Sequence, residues 1–208
     1  VSNGELHRDL YIFVGLIFTF GILLLIAGMM QVQGNYNNGF VSGLNDFQFM
    51  PKTMKQLAVV QFFSWFGLFA MFIYLTPAVT QHVYGATDTT SELYNEGANM
   101  VGYGYAWQNG TAALIAFLLP VLAKRLGRKL THSICLTIGG LGLASILFID
   151  TPNMFIVTMI AMGVAWSSIL SMPYSILTGS IPANKMGYYM GVFNFFIVIP
   201  QIIAAALL

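Results

Sequence analysis

Six consecutive residues, Lys124-Arg125-Leu126-Gly127-Arg128-Lys129, hold half of the chain's eight Lys and Arg, and residues 97–123 and 130–149 on either side contain no Asp, Glu, Lys or Arg. Burying one of those cations in hydrocarbon costs about 2.5–3.5 kcal/mol even on the mildest insertion scales, so the stretch belongs at a water interface. The flanking apolar runs then become two membrane spans joined by a short turn. Loops rich in Lys and Arg are retained on the cytoplasmic side, so the turn also orients the molecule.

Composition agrees with this reading. The sequence is 57% hydrophobic and 7% charged, where a soluble domain carries about a quarter charged residues. The expected fold is an all-α membrane protein. A formal net charge of +1 carries no nucleic-acid signature. A lone Cys135 within an apolar run allows neither a disulfide framework nor a thiolate metal site inside the chain. The chain starts at Val1 with a polar stretch unlike a signal peptide and stops within the apolar run Ile202–Leu208, which predicts an internal piece of a longer polytopic protein.

A span needs about 20 mostly apolar residues. Six stretches qualify: 10–30, 57–79, 101–123, 130–149, 154–174 and 186–208. Alternating sides from the basic turn puts 31–56 and 175–185 with it in the cytoplasm, and 1–9, 80–100 and 150–153 outside. The cations test this threading. Lys52, Lys55, Lys124, Arg125, Arg128, Lys129 and Lys185 fall inside and only Arg8 outside. Glu5, Asp9, Asp88, Glu92, Glu96 and Asp150 fall outside, with Asp46 alone inside. Residues 33–49 are rich in Asn and Gly and are expected to form a linker, the one boundary between domains. In 80–100, Thr87–Glu92 has the pattern of a helix cap within a solvated loop, either plain loop or a short surface helix.

No acid, Lys or Arg lies deep in a span, so the default signature of an intramembrane proton relay is missing from this sequence. His132 and His82 are placed at the two interfaces, as anchors rather than proton carriers. The uncharged polar residues are more telling because they align on helical stripes. Gln61, Ser64 and Trp65 share one stripe; Tyr105, Gln108 and Asn109 share another. Ser167, Ser171 and Tyr174 lie beside Trp166 and Ser168, and Gly191, Asn194, Val198 and Gln201 mark the last span. These groups either bond helix to helix, at about 0.6 kcal/mol each, or face a solute. Amides and hydroxyls next to an aromatic face suit a neutral sugar, whereas an anionic substrate would call for a buried cation. Pro77, Pro120, Pro173 and Pro200 sit toward span ends, where helices bend or stop.

Several segments also resemble a known family. Met50-Pro51-Lys52-Thr53-Met54-Lys55-Gln56-Leu57, then Gln61-Phe62-Phe63-Ser64-Trp65-Phe66-Gly67 and Tyr74-Leu75-Thr76-Pro77, are similar to the seventh helix of sucrose and maltose transporters. Those proteins belong with the glycoside-pentoside-hexuronide cation symporters of the major facilitator superfamily. Leu122–Lys129 resembles the superfamily's basic loop, here between helices eight and nine. Met172-Pro173-Tyr174-Ser175, Ile181-Pro182 and Met186-Gly187 to Asn194-Phe195-Phe196 resemble the family's helix ten, cytoplasmic loop and helix eleven.

The resemblance implies a major facilitator-type bundle of about six transmembrane helices. Residues 1–49 would be a preceding helix and cytoplasmic central loop, and 50–208 a C-terminal bundle resembling helices seven to eleven. It implies symport of a di- or oligosaccharide by alternating access, with H+ favoured over Na+ as the coupling cation. The family's coupling acids are expected in the N-terminal half of the same transporter, the partner bundle. Gln61, Ser64, Trp65, Gln108, Asn109, Trp166, Ser167 and Asn194 are the candidate substrate contacts. Lys124, Arg125, Gly127, Arg128 and Lys129 are a candidate conformational latch, or a topology determinant alone. No catalytic residue, metal site or cofactor is expected, because no paired acid, His cluster or activated nucleophile sits at membrane depth. A plasma (cytoplasmic or inner) membrane location follows. The rival readings are a transporter of another small neutral solute and a sugar sensor that does not transport.

The threading makes a direct prediction. In a Cys135→Ser background, a cysteine introduced at Lys124 is shielded from an impermeant maleimide in intact cells, whereas one at Thr90 reacts; labelling at 124 inverts the topology.

Overall fold

A computed structural model describes residues 8–149 and 151–208, so the outer-side assignments of residues 1–7 and Asp150 lie outside the described residues. Every regular element among the described residues is helical, and six helices are long and apolar enough to cross a membrane. The chain divides into two compact units, Val1–Met50 and Pro51–Leu208.

In the first unit, α1 (Arg8–Val32) ends at Gly34, whose φ of +71° is open to glycine without a Cβ penalty. The amide of Asn35 returns to Met30 O and that of Gly34 to Gln31 O, which uses up two of the last carbonyls in a Schellman arrangement. The Asn- and Gly-rich stretch beyond is not plain linker. It contains α2 (Gly39–Gln48), capped by Asn38, whose Oδ1 accepts from the Phe40 amide at 2.8 Å. Asn supplied a cap where its frequency suggested a loop. Phe40, Leu44 and Phe47 recur at helical spacing on α2, and Val41 is buried with Ala27 of α1 in this unit's small core.

The second unit contains α3 (Lys52–Pro77), α4 (Glu92–Leu126), α5 (Arg128–Ser145), α6 (Pro152–Thr178) and α7 (Met186–Leu207). Helix α3 runs on through a wide π-type turn, Ala78–Val83, immediately after Pro77. Within that turn the Tyr84 amide reaches back five residues to Val79 O, the bonding of a π-type turn. The stretch 80–100 is therefore mostly helical, and its cap does not start a separate surface helix. Ser91 accepts from the Tyr94 amide at 3.2 Å and opens α4, which continues unbroken for 35 residues into the span. Asp88 shapes the turn before it: its carboxylate accepts from the Thr90 amide (2.9 Å) and hydroxyl (2.7 Å), which holds its pKa below the usual carboxylate value.

Helix α6 is the centre of this unit, with half of its apolar window buried. Along its antiparallel contact with α5 the two helices are matched residue by residue. His132 meets Ser168, Gly139 meets Ala165, Gly142 meets Ala161, and Ser145 meets Thr158. Small residues in the middle permit close backbone approach, and a hydroxyl hydrogen bond closes each end, at 2.8 Å and 2.7 Å. Helix α4 lies parallel to α6 on another face. There Gly104 abuts Phe155 and Gly163 abuts the backbone of Gln108. The core at the end away from the basic turn joins Leu68, Met71 and Leu75 of α3 to Phe155, Met159 and Met162 of α6. Helix α7 packs along α3.

A methyl group added at Gly163 would sit 2.5 Å from Gln108 O, and that atom belongs to backbone that cannot swing away. Gly163→Ala is expected to lower the melting temperature in detergent, with an overpacking cost of about 1–3 kcal/mol. At Gly110, which has open space around it, the same change should not. Equal melting curves for the two variants would refute the close crossing.

Candidate functional site

The polar stripes read from the sequence converge only in part. Gln61 is fully buried on α3, and neither its Nε2 nor its Oε1 has a hydrogen-bond partner. One turn along the helix, the buried Nε1 of Trp65 is also unpartnered. The Trp65 ring meets Trp166 of α6 edge to face, with centroids 5.9 Å apart and planes at 70°. Phe72 continues the aromatic cluster, 6.1 Å from Trp166 and 6.4 Å from Tyr105 of α4. Gln108, one turn from Tyr105, is 2% exposed with Oε1 unpartnered, and Ser167, which follows Trp166 in sequence, is 6% exposed with Oγ unpartnered. Three helices thus carry unpartnered buried donors or acceptors within a turn of the residues of this aromatic cluster.

Buried polar groups are normally paired, because an orphaned amide or hydroxyl forfeits about 1–3 kcal/mol. Here the orphans are concentrated rather than scattered. Of six such atoms among the described residues, five belong to Gln61, Trp65, Gln108 and Ser167, and the sixth is His132 Nε2. Such a set of unsatisfied groups suits a solute that offers hydroxyls in return.

The remaining candidates stand apart from this cluster. Asn109 is exposed, and its Nδ2 donates to Tyr105 O of its own helix at 2.9 Å. Adjacent helical positions diverge by about 100°, so Gln108 and Asn109 cannot both face α6. Asn194 on α7 accepts from the Tyr174 hydroxyl at 2.9 Å, a link from α6 to α7. Ser64 is half-buried one turn from Leu68. His132, expected at the interface, is instead 4% exposed, with Nδ1 bonded to Ser168 Oγ. Its helical phase, shared with Cys135, Gly139 and Gly142, turns it toward α6 despite its closeness in sequence to Lys129. The Ser145–Thr158 pair was not foreseen either; its only signal was two hydroxyls on small-residue stripes.

At the basic end, Gly127 with φ of +85° is the only residue between α4 and α5. Lys124 and Arg125 occupy the last turn of α4, where cations complement the helix dipole. Arg128 Nη1 donates to Ser175 O of α6 at 2.5 Å. Lys124 and Arg128 also border a cavity of about 550 Å³ between α4 and α6, with Leu119, Pro120, Ser171 and Ser175 in its wall. A second cavity of about 390 Å³ between α3 and α5 is almost wholly apolar, walled by residues such as Met71, Leu75 and Leu143. Neither is lined by Gln61, Trp65, Gln108 or Ser167, so the orphaned groups form a packed face and not the wall of either cavity.

If the Gln61 amide contributes nothing to packing, an apolar residue of similar size should serve folding at least as well. Gln61→Leu is expected to leave the melting temperature unchanged or raise it. A clear loss of stability would mean that the amide is paired within the fold.

The chain matches, over residues 8–205, the family described as Major Facilitator Superfamily. No curated protein and no solved structure matches it. The match spans nearly all of the sequence, including all six apolar helices and the basic turn. The chain belongs to the Major Facilitator Superfamily and is a multi-pass membrane transporter protein.

Proposed function

We propose that the chain serves cation-coupled, specifically proton-coupled, symport of a di- or oligosaccharide in a plasma or inner membrane. Residues 1–49 would provide a preceding span and central loop. Residues 50–208 would form most of the C-terminal bundle, working against an N-terminal half by alternating access about a site near the bilayer midplane. The observation that carries the sugar reading is the cluster of unpartnered buried groups on Gln61, Gln108 and Ser167 beside the Trp65–Trp166 pair.

A sugar offers each of those groups a hydroxyl that both donates and accepts, and its C–H faces suit an aromatic ring. An ionic solute would instead draw on a buried charge or a helix N-terminus. In this reading Gln61, Gln108 and Ser167 orient the sugar, Trp65 and Trp166 form its stacking floor, and Ser64, Asn109 and Asn194 border the path. The choice of proton as coupling ion rests on the resemblance to the sucrose and maltose symporters. The cations of Lys124–Lys129 would act as a latch. The bond from Arg128 to Ser175 O ties the α4–α5 hairpin to α6 in one state, to be released in the other.

Gln61→Leu and Gln108→Leu, in the transporter assembled with its N-terminal half, are expected to cut labelled-sugar uptake about tenfold or more, the effect of losing one or two buried hydrogen bonds. The amount of protein in the membrane should not change. Counterflow of the sugar in proteoliposomes completes the test, since a sensor binds without exchange. Unaltered uptake in both variants, or binding with no counterflow, overturns the proposal.

A further inference from the structure

The third cavity, at the basic end between α3 and α5, holds about 160 Å³, several times the roughly 30 Å³ share of one water. Its polar lining is Thr53 and Gln56 from α3 and Lys129, His132 and Ser133 from α5; the remaining wall is aliphatic and no carboxylate borders it. Each of the five polar side chains can donate a hydrogen bond.

Two helix N-termini meet at this cavity. Helix α3 is capped by Pro51 and α5 by Gly127, and neither cap has a side-chain oxygen to accept from the first amides. Within each helix the first amide to find an acceptor is the fourth: Lys55 N bonds Pro51 O and Thr131 N bonds Gly127 O. Both ends therefore present unsatisfied N–H groups and the positive pole of the dipole. The sequence places cations there too, Lys52 and Lys55 on α3 and Arg128 and Lys129 on α5. That is the wrong sign for helix stability, and an anion would correct it.

His132 is the independent indication. It is 4% exposed, lines the cavity, spends Nδ1 on Ser168, and has no partner for Nε2. We propose that this cavity binds a phosphate-type oxyanion, with Lys129 and His132 as its charged and buried donors and the hydroxyls of Thr53 and Ser133 completing the cradle. The site is distinct from the aromatic cluster and does not depend on the nature of the transported solute. The oxyanion comes either from a free anion in the adjoining water or from an anionic lipid headgroup at the membrane surface.

Calorimetric titration of the protein with inorganic phosphate, in nanodiscs of neutral phosphatidylcholine, tests the proposal. Saturable binding is expected, weakened about tenfold in Lys129→Gln, the scale of one charge-assisted hydrogen bond. Lys124→Gln, in the same turn but outside this cavity, should bind as the parent does. His132→Gln should weaken binding as well, and Lys129→Gln decides if that variant does not fold. In phosphatidylglycerol nanodiscs, loss of the phosphate signal identifies the lipid headgroup as occupant, and its persistence identifies the free anion. No binding in phosphatidylcholine, or equal weakening by Lys124→Gln and Lys129→Gln, would overturn the site.

Discussion

Hydrocarbon offers neither donor nor acceptor, and this constraint organises the whole molecule. It confines the chain to helices, which satisfy their own backbone, and it drives the cations of the second unit out to one end. It also makes every unpaired polar atom inside the bundle informative. In water such an atom would be solvated and unremarked. Between packed helices it persists only where another group meets it during function, or where the structure carries the cost.

The second unit answers this constraint with a central helix. Helix α6 makes its close contacts through small residues, Ala161 and Ala165 toward α5 and Gly163 toward α4. Backbones brought this near gain dispersion contacts that lipid tails would otherwise supply. The hydroxyl pairs at Ser168 and Ser145 add direction, because a one-residue slip of α5 on α6 would break both. The aromatic cluster sits on a different face of α6, where Trp166 meets residues of α3. Close backbone packing and the aromatic cluster thus occupy different faces of one helix.

Much of this could be read from the residues. The apolar runs gave the spans, and Gln61, Trp65, Gln108, Trp166 and Ser167 were recognisable from helical stripes because amides and indoles are conspicuous against Leu and Phe. What the stripes lacked was helical phase relative to a partner. Gln108 and Asn109 are alike as amides, and it is Gln108, on the buried stripe of Val101 and Gly104 and with Gly163 against its backbone, that turns inward. His132 looked interfacial because Lys129 is three positions away, although Cys135, Gly139 and Gly142 already traced the stripe that buries it. Helix α2 and the long start of α4 were obscured by Asn, Ser and Asp, whose capping oxygens favour helix starts and loops alike.

The joint at Gly127 leaves the α4–α5 pair without slack. A longer connection would absorb displacement, but one residue in the left-handed region transmits it. Because Arg128 grips the end of α6 at Ser175 while Ser145 grips its far end at Thr158, the hairpin is fastened to α6 at both extremities. For as long as the Arg128 grip holds, those three helices should move as a single lever, which leaves the flexing to the wide turn after Pro77 and to the connection leading into α7.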